Sequence, residues 1–531
     1  LKQIVDNTNH KVGDQIGTYG IWKGEARGKF DTRNKLNKLT GKEWIPLTAS
    51  VWEFKENLTQ GICSNLIRFF TDNDNDKGVL SLYELGGILN QELVENVYSN
   101  LGEHSPVFNL NRLSNIDEVL NLTNTSYQLV VTFFDELIKN QFYIKETEPN
   151  MEGYKSFVKD ILSKLTEKVY DNLENSKYTT VIADEHIVIN GNVIDVSNHI
   201  IHYHIKCGFE YKGKITAINK NDFTSNNFAD INSNSKKYVL IFYKSNQKNN
   251  ANHNLYFPKE KDTNHRVTVP KVLYSKTRVD SIGKQHPATY SYLDIELLIE
   301  KFVGRENSAI IFDPFLGVAS TAIAAEYTGN RSIGIDLSEE YVSLSAKRLN
   351  DFLVLNTDII YEGEKINRSQ SASHYLIQGD STNRIDEDDI PELDYCVTSP
   401  PYHSILKNDG KGVRSDSSQF RQGVEYYSDL ESDIGNQESY DGYLQLIKDV
   451  MASTYSKLKT NGYCSIVISD FTVNKKEKDI SGDIVGIMGE IGYVYLGTTT
   501  LIQSQKVIYP FGYPYKFVIN HTNQFIINFQ K

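Results

Sequence analysis

Residues 308–321 read Ser-Ala-Ile-Ile-Phe-Asp-Pro-Phe-Leu-Gly-Val-Ala-Ser-Thr, and residues 331–336 read Arg-Ser-Ile-Gly-Ile-Asp. The apolar run at 308–312 ends in Asp313-Pro314, a glycine turn follows at Gly317, and Ala319–Tyr327 has helical spacing. A second apolar run, Ser332–Ile335, ends in Asp336. Run, tight turn, helix and a second run closing on an acid make a βαβ unit. A carboxylate at the tip of the second strand can accept hydrogen bonds from ribose hydroxyls, so the unit suits an adenosine cofactor. The spacing is not Gly-x-Gly-x-x-Gly, which argues against a dinucleotide.

The pattern continues outward from this unit. Strands are predicted at 308–312, 332–336, 375–379, 393–398, 462–469, 515–520 and 523–529, and helices at 319–329, 338–350, 440–458 and 481–491. Such alternation predicts an α/β domain over 271–531, a doubly wound, mostly parallel sheet. An antiparallel C-terminal hairpin is expected to turn at His521-Thr522-Asn523. Ligands bind such sheets at the carboxyl ends of the strands, where Gly317, Asp336, Asp380 and Ser399 all fall. Directly after Leu393–Val397 the chain reads Thr398-Ser399-Pro400-Pro401-Tyr402. The prolines fix φ and carry no N–H, so this turn rigidly presents a hydroxyl, a carbonyl and an aromatic face. That set suits a flat, amine-bearing ring.

Together these stretches resemble the DNA amino-methyltransferases, particularly the N4-cytosine group. The resemblance implies that Ser399, Pro400, Pro401 and Tyr402 form the catalytic loop. It implies that Asp313, Pro314, Phe315, Gly317, Ser320 and Thr321 form the turn that binds S-adenosylmethionine. Val318-Ala319 stands where the family usually has Ser-Gly, and a small residue at 319 keeps the backbone approachable. Lys284–Tyr290 looks like the segment covering the methionine moiety, with His286, Pro287 and Thr289 as contacts. Asp336 then takes the ribose, and Asp380, in Gln378-Gly379-Asp380-Ser381, faces the adenine. Tyr427-Ser428-Asp429 through Gly435-Asn436 and Tyr440, and Ile508–Pro514, look like later segments of the family, so the likeness covers roughly residues 270–531.

The implied reaction is direct methyl transfer to the exocyclic N4 of cytosine in double-stranded DNA, with the base rotated out of the duplex and no metal. A cognate restriction endonuclease is the implied partner, in a restriction–modification system. Adenine enzymes of this kind mostly carry Asp or Asn at the position of Ser399, so serine favours cytosine over adenine N6. Transfer to ring carbon 5 needs a cysteine preceded by proline in that family. No Pro-Cys dipeptide occurs here.

Composition sets the remaining bounds. At 531 residues, 39% apolar, the chain is long enough for two to four folded domains. No apolar run reaches the roughly 20 residues of a membrane span, and no secretory segment opens the chain. Cys63, Cys207, Cys396 and Cys464 are widely separated, which fits a reducing, cytoplasmic setting without a zinc knuckle. The net charge of −12 hides local basic stretches. Residues 1–44 hold nine Lys/Arg against five acids, and 201–270 hold eleven against five. DNA affinity depends on the charges that reach phosphates, so an acidic total does not exclude it.

The first 270 residues read as an α+β region for recognition or scaffolding. Trp22, Lys23, Arg27, Lys29, Phe30, Arg33, Lys35, Lys38, Lys42 and Trp44 interleave aromatics with cations. That pattern suits phosphate contact and base stacking, and equally a β-rich cap with core tryptophans. Residues 80–175 show helical apolar spacing, as in Leu129, Val130, Phe133, Phe134, Leu137 and Ile138, and 178–245 read as β-rich. His202 and His204 alternate within the run Ile200–Ile205 and are expected on one strand face. No internal repeat is read. Asp195 with Glu210-Tyr211-Lys212 follows the Asp…Glu-x-Lys order of metal-dependent nucleases, a second reading that would make the protein bifunctional.

Overall fold

The computed structural model describes residues 30–531 except 56, 73–77, 85–87, 100–109, 123–125, 144–148, 223–234, 250, 259–266, 277–279, 287–288, 353–358, 363–373, 388–389, 404–432 and 474. Pro287, Trp22, Lys23, Arg27, Lys29 and Tyr427–Asp429 lie outside the described residues.

Two large sheets organise the chain. The first half comprises α1 (Gly41–Leu47), β1 (Val51–Phe54), α2 (Leu58–Phe70), β2 (Gly78–Leu82), α3 (Gln91–Ser99), β3 (Leu110–Leu113), α4 (Ile116–Leu120) and β4 (Tyr127–Phe133). It continues through α5 (Phe134–Ile138), α6 (Met151–Ser156), α7 (Ser163–Asn172), β5 (Leu173–Ala183), the hairpin β6 (His186–Ile189) and β7 (Asn192–Asp195), α8 (Val196–Cys207), β8 (Glu210–Asn219) and β9 (Lys236–Lys244). Its sheet runs β3-β2-β4-β5-β9-β8-β1. Side chains alternate across it: Leu129, Val131 and Ile241 face one core, and Val130, Leu240 and Phe242 the other.

The second half comprises β10 (Val272–Tyr274), α9 (Tyr292–Phe302), β11 (Ile310–Asp313), α10 (Ser320–Tyr327), β12 (Arg331–Asp336), α11 (Glu339–Phe352), β13 (Ile359–Glu362) and β14 (His374–Gln378). Then follow α12 (Ser381–Glu387), β15 (Leu393–Thr398), α13 (Tyr440–Lys457), β16 (Leu458–Ile468), β17 (Phe471–Val473), β18 (Lys476–Lys478), α14 (Ile480–Ile491), β19 (Val494–Ile502) and β20 (Asn523–Gln530). The nine-stranded sheet runs β10-β19-β20-β16-β15-β11-β12-β14-β13. β13 through β16 are mutually parallel, and β20 is antiparallel to both β16 and β19. Ile311, Tyr395 and Val397 pack into one core and Phe312 and Cys396 into the other, so both faces are covered. This is the expected doubly wound, mostly parallel sheet.

Four details differ from the sequence reading. The closing antiparallel pair is β19 with β20; residues 515–520 are not a strand, and only Ala49 bridges Asn520. The stretch 80–175 is not wholly helical, since β2, β3 and β4 lie in it. Leu129, Val130 and Phe133 belong to β4, where burial of both faces gives a continuous apolar run that mimics a helical stripe. Ile200–Ile205 lies in α8, so His202 and His204 are helical. Asp195 caps that helix, accepting from Ser197 N, and Gly208 at φ 112° ends it; these end signals outweighed β-branched content.

The fourth difference is an internal repeat. Read from β3, the first sheet has the same order and strand directions as β12-β11-β15-β16-β20-β19-β10 of the second. Both copies break register at matching points. Tyr127/Leu129 against β5 corresponds to Leu393/Tyr395 against β16, with Ser176 (φ 61°) and Asn461 (φ 66°) in the bulges. Tyr211/Gly213 corresponds to Tyr495/Gly497, with the glycines at φ 134° and 131°. Residues 195–219 align with 479–503 without a gap, keeping Asp195/Asp479, Ser197/Ser481, Gly208/Gly492, Tyr211/Tyr495, Gly213/Gly497 and Thr216/Thr500.

The two copies face each other through like surfaces. Equivalent residues Glu53 and Tyr274 meet, the Tyr274 hydroxyl donating to the carboxylate at 2.7 Å, and Val51, Ile218, Val272 and Ile502 share one cluster. Lys214 donates to Asp479 at 3.0 Å and lies 3.8 Å from Asp470. Reciprocally, the N–H of Thr498, the counterpart of Lys214, donates to Glu185, the counterpart of Asp470. Such reciprocal pairing defines a two-fold-related interface. The connection between β19 and β20 also reaches into the first half, where Tyr513, Phe517 and Ile519 pack with Trp44, Phe69 and Phe70. Trp44 is buried, which favours the core reading of that tryptophan.

Candidate active site

The tip of β11 is organised by one buried carboxylate. Asp313 accepts from the Thr398 hydroxyl (2.6 Å) on one oxygen, and from the Tyr290 (2.7 Å) and Thr321 (2.6 Å) hydroxyls on the other. It also accepts from the Phe315 N–H at 3.1 Å, turning the chain at Pro314. Burial raises its pKa, and these hydrogen bonds oppose the rise. Asp313 thereby ties the glycine turn to Thr398, the residue before Ser399.

The turn itself is held from below. Gly317 adopts φ 54°, and a Cβ there would sit 3.3 Å from the His286 ring. Ala319 takes φ 62° at the start of α10, where the family resemblance leads one to expect glycine, so this chain accepts the left-handed cost that glycine avoids. Arg348 donates to the Val318 carbonyl (2.6 Å), the Ser320 hydroxyl (3.0 Å) and Asp280 (2.7 Å). Ser345 donates to the Gly317 carbonyl at 3.0 Å.

Asp336 closes the tip of β12. One oxygen accepts from Gly317 N at 2.8 Å and the other from Ser338 N at 2.9 Å. Each oxygen retains capacity for a further donor, and Asp336 lines the cleft. Although Asp336 opens onto the cleft, protein surrounds it closely enough that burial pushes its pKa up to about 7, against the two N–H donors. Burial and the Arg348 charge lower His286 to about 4, so its imidazole is neutral at pH 7. Asp380 bonds Thr382 through both its N–H (2.9 Å) and its hydroxyl (2.7 Å).

These groups surround one cleft that opens to solvent. His286, Pro314, Phe315, Gly317, Asp336 and Asp380 line it together with Ser399, Pro400 and Pro401. Asp313, Ser320 and Thr321 lie beneath it, buried. Thr289 donates to the Gly283 carbonyl at 2.7 Å, bracing the His286 segment. Tyr402 stands beside the cleft against Phe471, its hydroxyl accepting from Gln524 Nε2 at 2.9 Å. The cleft also takes in Leu337, Ser338, Tyr341, Asp433 and Ile434, which sequence reasoning missed. Ser338 and Tyr341, following Asp336 in sequence, could have been inferred; Asp433 and Ile434 lie within the stretch 427–436 that the resemblance marked without assigning them to the site.

A family model, N6_N4_Mtase, described as DNA methylase, matches residues 105–347. The match covers just under half the chain, begins in the first copy and ends in α11, before Ser399. An orphan methyltransferase of Bacillus amyloliquefaciens, M.BamHII, is 30% identical over 95 residues, 18% of this chain and 34% of that protein. The type II methyltransferase M.ScaI of Streptomyces caespitosus is 32% identical over 80 residues, 15% of this chain and 26% of that protein. The chain thus spans about a quarter to a third of the curated relatives it matches. Among solved structures, the SAM-bound magnesium protoporphyrin IX methyltransferase of Synechocystis covers 49% of this chain and 87% of its own, at 12% identity and a TM-score of 0.27.

The nuclease reading finds no such assembly. Asp195 is a helix cap facing Lys214 and Asp479, whereas Glu210 pairs with Lys212 at 2.6 Å. Among the described residues, no group of three His, Cys, Asp or Glu side chains is arranged to hold a metal ion. Among them, too, no helix is long and apolar enough to cross a membrane.

Proposed function

We propose that this chain is a DNA methyltransferase that uses S-adenosylmethionine to methylate the exocyclic N4 of cytosine in double-stranded DNA. We place it in a restriction–modification system beside a cognate restriction endonuclease. The observation that carries the reading is that Ser399-Pro400-Pro401 shares one cleft with Gly317, Asp336 and Asp380. An adenosine cofactor fits the donors and acceptors present. The free acceptor sites of Asp336 suit two ribose hydroxyls, the φ of Gly317 leaves backbone open to approach, and Asp380 suits an exocyclic amine. The neutral His286 and Pro314 would flank the methionine end. When bound, the cofactor supplies a sulfonium methyl as electrophile.

The remaining chemistry belongs to the chain. A cytosine amine is a weak nucleophile because its lone pair is conjugated with the ring. Donation of its two N–H groups to the Ser399 hydroxyl and the Pro400 carbonyl would favour a pyramidal nitrogen with a free lone pair. Tyr402 would stack on the base after its rotation from the duplex. Catalysis then comes from position and electrostatics, without a covalent intermediate. Asp313, Ser320 and Thr321 act through the turn they brace. Residues 1–270 supply most of the target recognition.

The test is methylation of duplex DNA with methyl-labelled cofactor, followed by nucleoside mass spectrometry. Label in N4-methylcytosine supports the reading; label in N6-methyladenine keeps the class and overturns the base. Ser399→Ala should lower the rate by about 100-fold, as loss of one positioned hydrogen-bond partner does, with cofactor affinity unchanged.

A further inference from the structure

The first half repeats the topology of the half that carries the cleft, and its own strand tips can be compared position by position. Leu80 pairs with Val130 on β4 as Phe312 pairs with Cys396 on β15. Ser81 therefore stands at the position of Asp313, and Glu84 at that of Leu316. Leu80 also pairs with Asn111 as Phe312 pairs with Ile333. Arg112 thus corresponds to Gly334 and Ser114 to Asp336. On β4, Thr132 corresponds to Thr398, and Phe133-Phe134-Asp135-Glu136 stand where Ser399-Pro400-Pro401-Tyr402 stand.

These exchanges remove a cofactor site group by group. The carboxylate that would organise the turn is a serine, and so is the carboxylate that would hold a ribose. Gly334 leaves no space for a side chain, since a Cβ there would lie 2.4 Å from Leu316 Cδ1. The first half carries an arginine at that point. Arg112 donates to the Leu89 carbonyl at 2.6 Å and lies 3.8 Å from Glu84. Glu84 in turn accepts from the Ser81 hydroxyl at 2.8 Å and from the Leu89 N–H. Ser81, Glu84 and Arg112 are instead tied to one another and to the Leu89 backbone.

We propose that residues 41–244 are a second, silent copy of the methyltransferase fold, and that it acts as the built-in partner of a single active centre. The chain is then a covalent pair of like folds, of which the second alone carries the cofactor site. The reciprocal contacts of Lys214 and Glu185 across the two-fold support pairing as the retained role of the silent copy. The family match at residues 105–347 supports its kinship, because it takes in β4 through β9 of that copy. The inference rests on the cofactor reading above.

Calorimetric titration of the full chain with S-adenosylhomocysteine, with hydrogen exchange on the same complex, tests it. One site per chain is expected, with slowed exchange confined to the second copy, near 284–286, 313–338 and 378–381. Amides of 79–84 and 110–116 should be unaffected. Asp336→Ala should weaken binding at least 100-fold, and Arg112→Ala should leave it unchanged. Two sites per chain, or protection at 79–84, would overturn the silent-copy proposal while leaving the cofactor reading intact. Absence of any binding to the wild-type chain would overturn both. The hydrogen-exchange result decides the matter even if a variant fails to fold.

Discussion

Two residues of the cleft carry opposite demands. Asp336 is pushed up to about 7 by burial, whereas an unfolded aspartate titrates near 3.9. Between those values the folded chain binds more protons than the unfolded one, so this group's contribution favours the fold at low pH and is lost as pH rises through about 7. Ribose hydroxyls donate to the ionised form, so cofactor affinity should run the other way. Asp336→Asn should flatten the fall in thermal stability of the free protein between about pH 4 and 7. It should also remove the pH dependence of S-adenosylhomocysteine affinity, along with most of the affinity. A calorimetric series in pH checks both, and an unaltered profile in the variant would assign the titration elsewhere. Tyr402 gives a second contrast. Stacking of a base on an aromatic ring contributes about 1–3 kcal/mol, so Tyr402→Ala should weaken turnover about 5- to 150-fold. Tyr402→Phe keeps the ring and loses the hydroxyl's bonds to Gln524 and the Ser469 backbone, and its rate should stay within about fivefold of wild type. Equal losses in both variants would mean that the hydroxyl, rather than the ring, matters. The motif revealed Asp336, Ser399 and Tyr402, but not Gln524 or Arg348, whose contacts join segments far apart in sequence.

At the scale of elements, packing between strand and turn decides whether the cleft is open. Gly334 on β12 lies under Leu316, which shapes the turn before Gly317. In Gly334→Ala the new methyl must displace Leu316, and overpacking of this kind costs typically about 1–3 kcal/mol. The variant should melt earlier by that amount and bind S-adenosylhomocysteine more weakly, because the turn and the cleft move together. Normal affinity with reduced stability would show that the turn relaxes independently. The same elements show why legibility was uneven. β11, β12 and β15 end in Asp313, Asp336 and Thr398, and their tips carry turn signals that sequence displays. β4 is apolar on both faces, so its period does not distinguish it from a helix. β19, with Thr498, Thr499 and Thr500 buried in its middle, offers no apolar run, and the hairpin was assigned to its neighbour 515–520. α8 shows β-branched residues where a strand was expected, yet Asp195 and Gly208 bracket it as a helix.

At the scale of the molecule, the repeat escaped sequence reading because the copies share backbone geometry more than side chains. Residues 195–219 and 479–503 keep an ungapped likeness, and there the retained residues are caps, bulge glycines and interface groups rather than site residues. Lys214 is the residue that joins the copies most directly. Its ammonium is 3% exposed and bonds Asp479 and Ser481, with Asp470 at 3.8 Å and the Phe525 ring at 4.7 Å. Burial raises Asp470 to about 7 and Asp195 to about 6, whereas Asp479 is held below its usual value by Lys214 despite its burial. Lys214→Met keeps the volume and removes the charge, leaving Asp479 without its cation. Breaking a buried pair in this way costs about 3–5 kcal/mol. The penalty is that of burying unpaired carboxylates, so it should be largest above about pH 7, where Asp195 and Asp470 are also ionised. It should shrink towards pH 5, where those two are protonated and only Asp479 must take up a proton. Chemical denaturation at pH 8 and pH 5 measures the difference directly. A loss below 1 kcal/mol at both pH values would mean that the Lys214 pairing does not hold the two copies together.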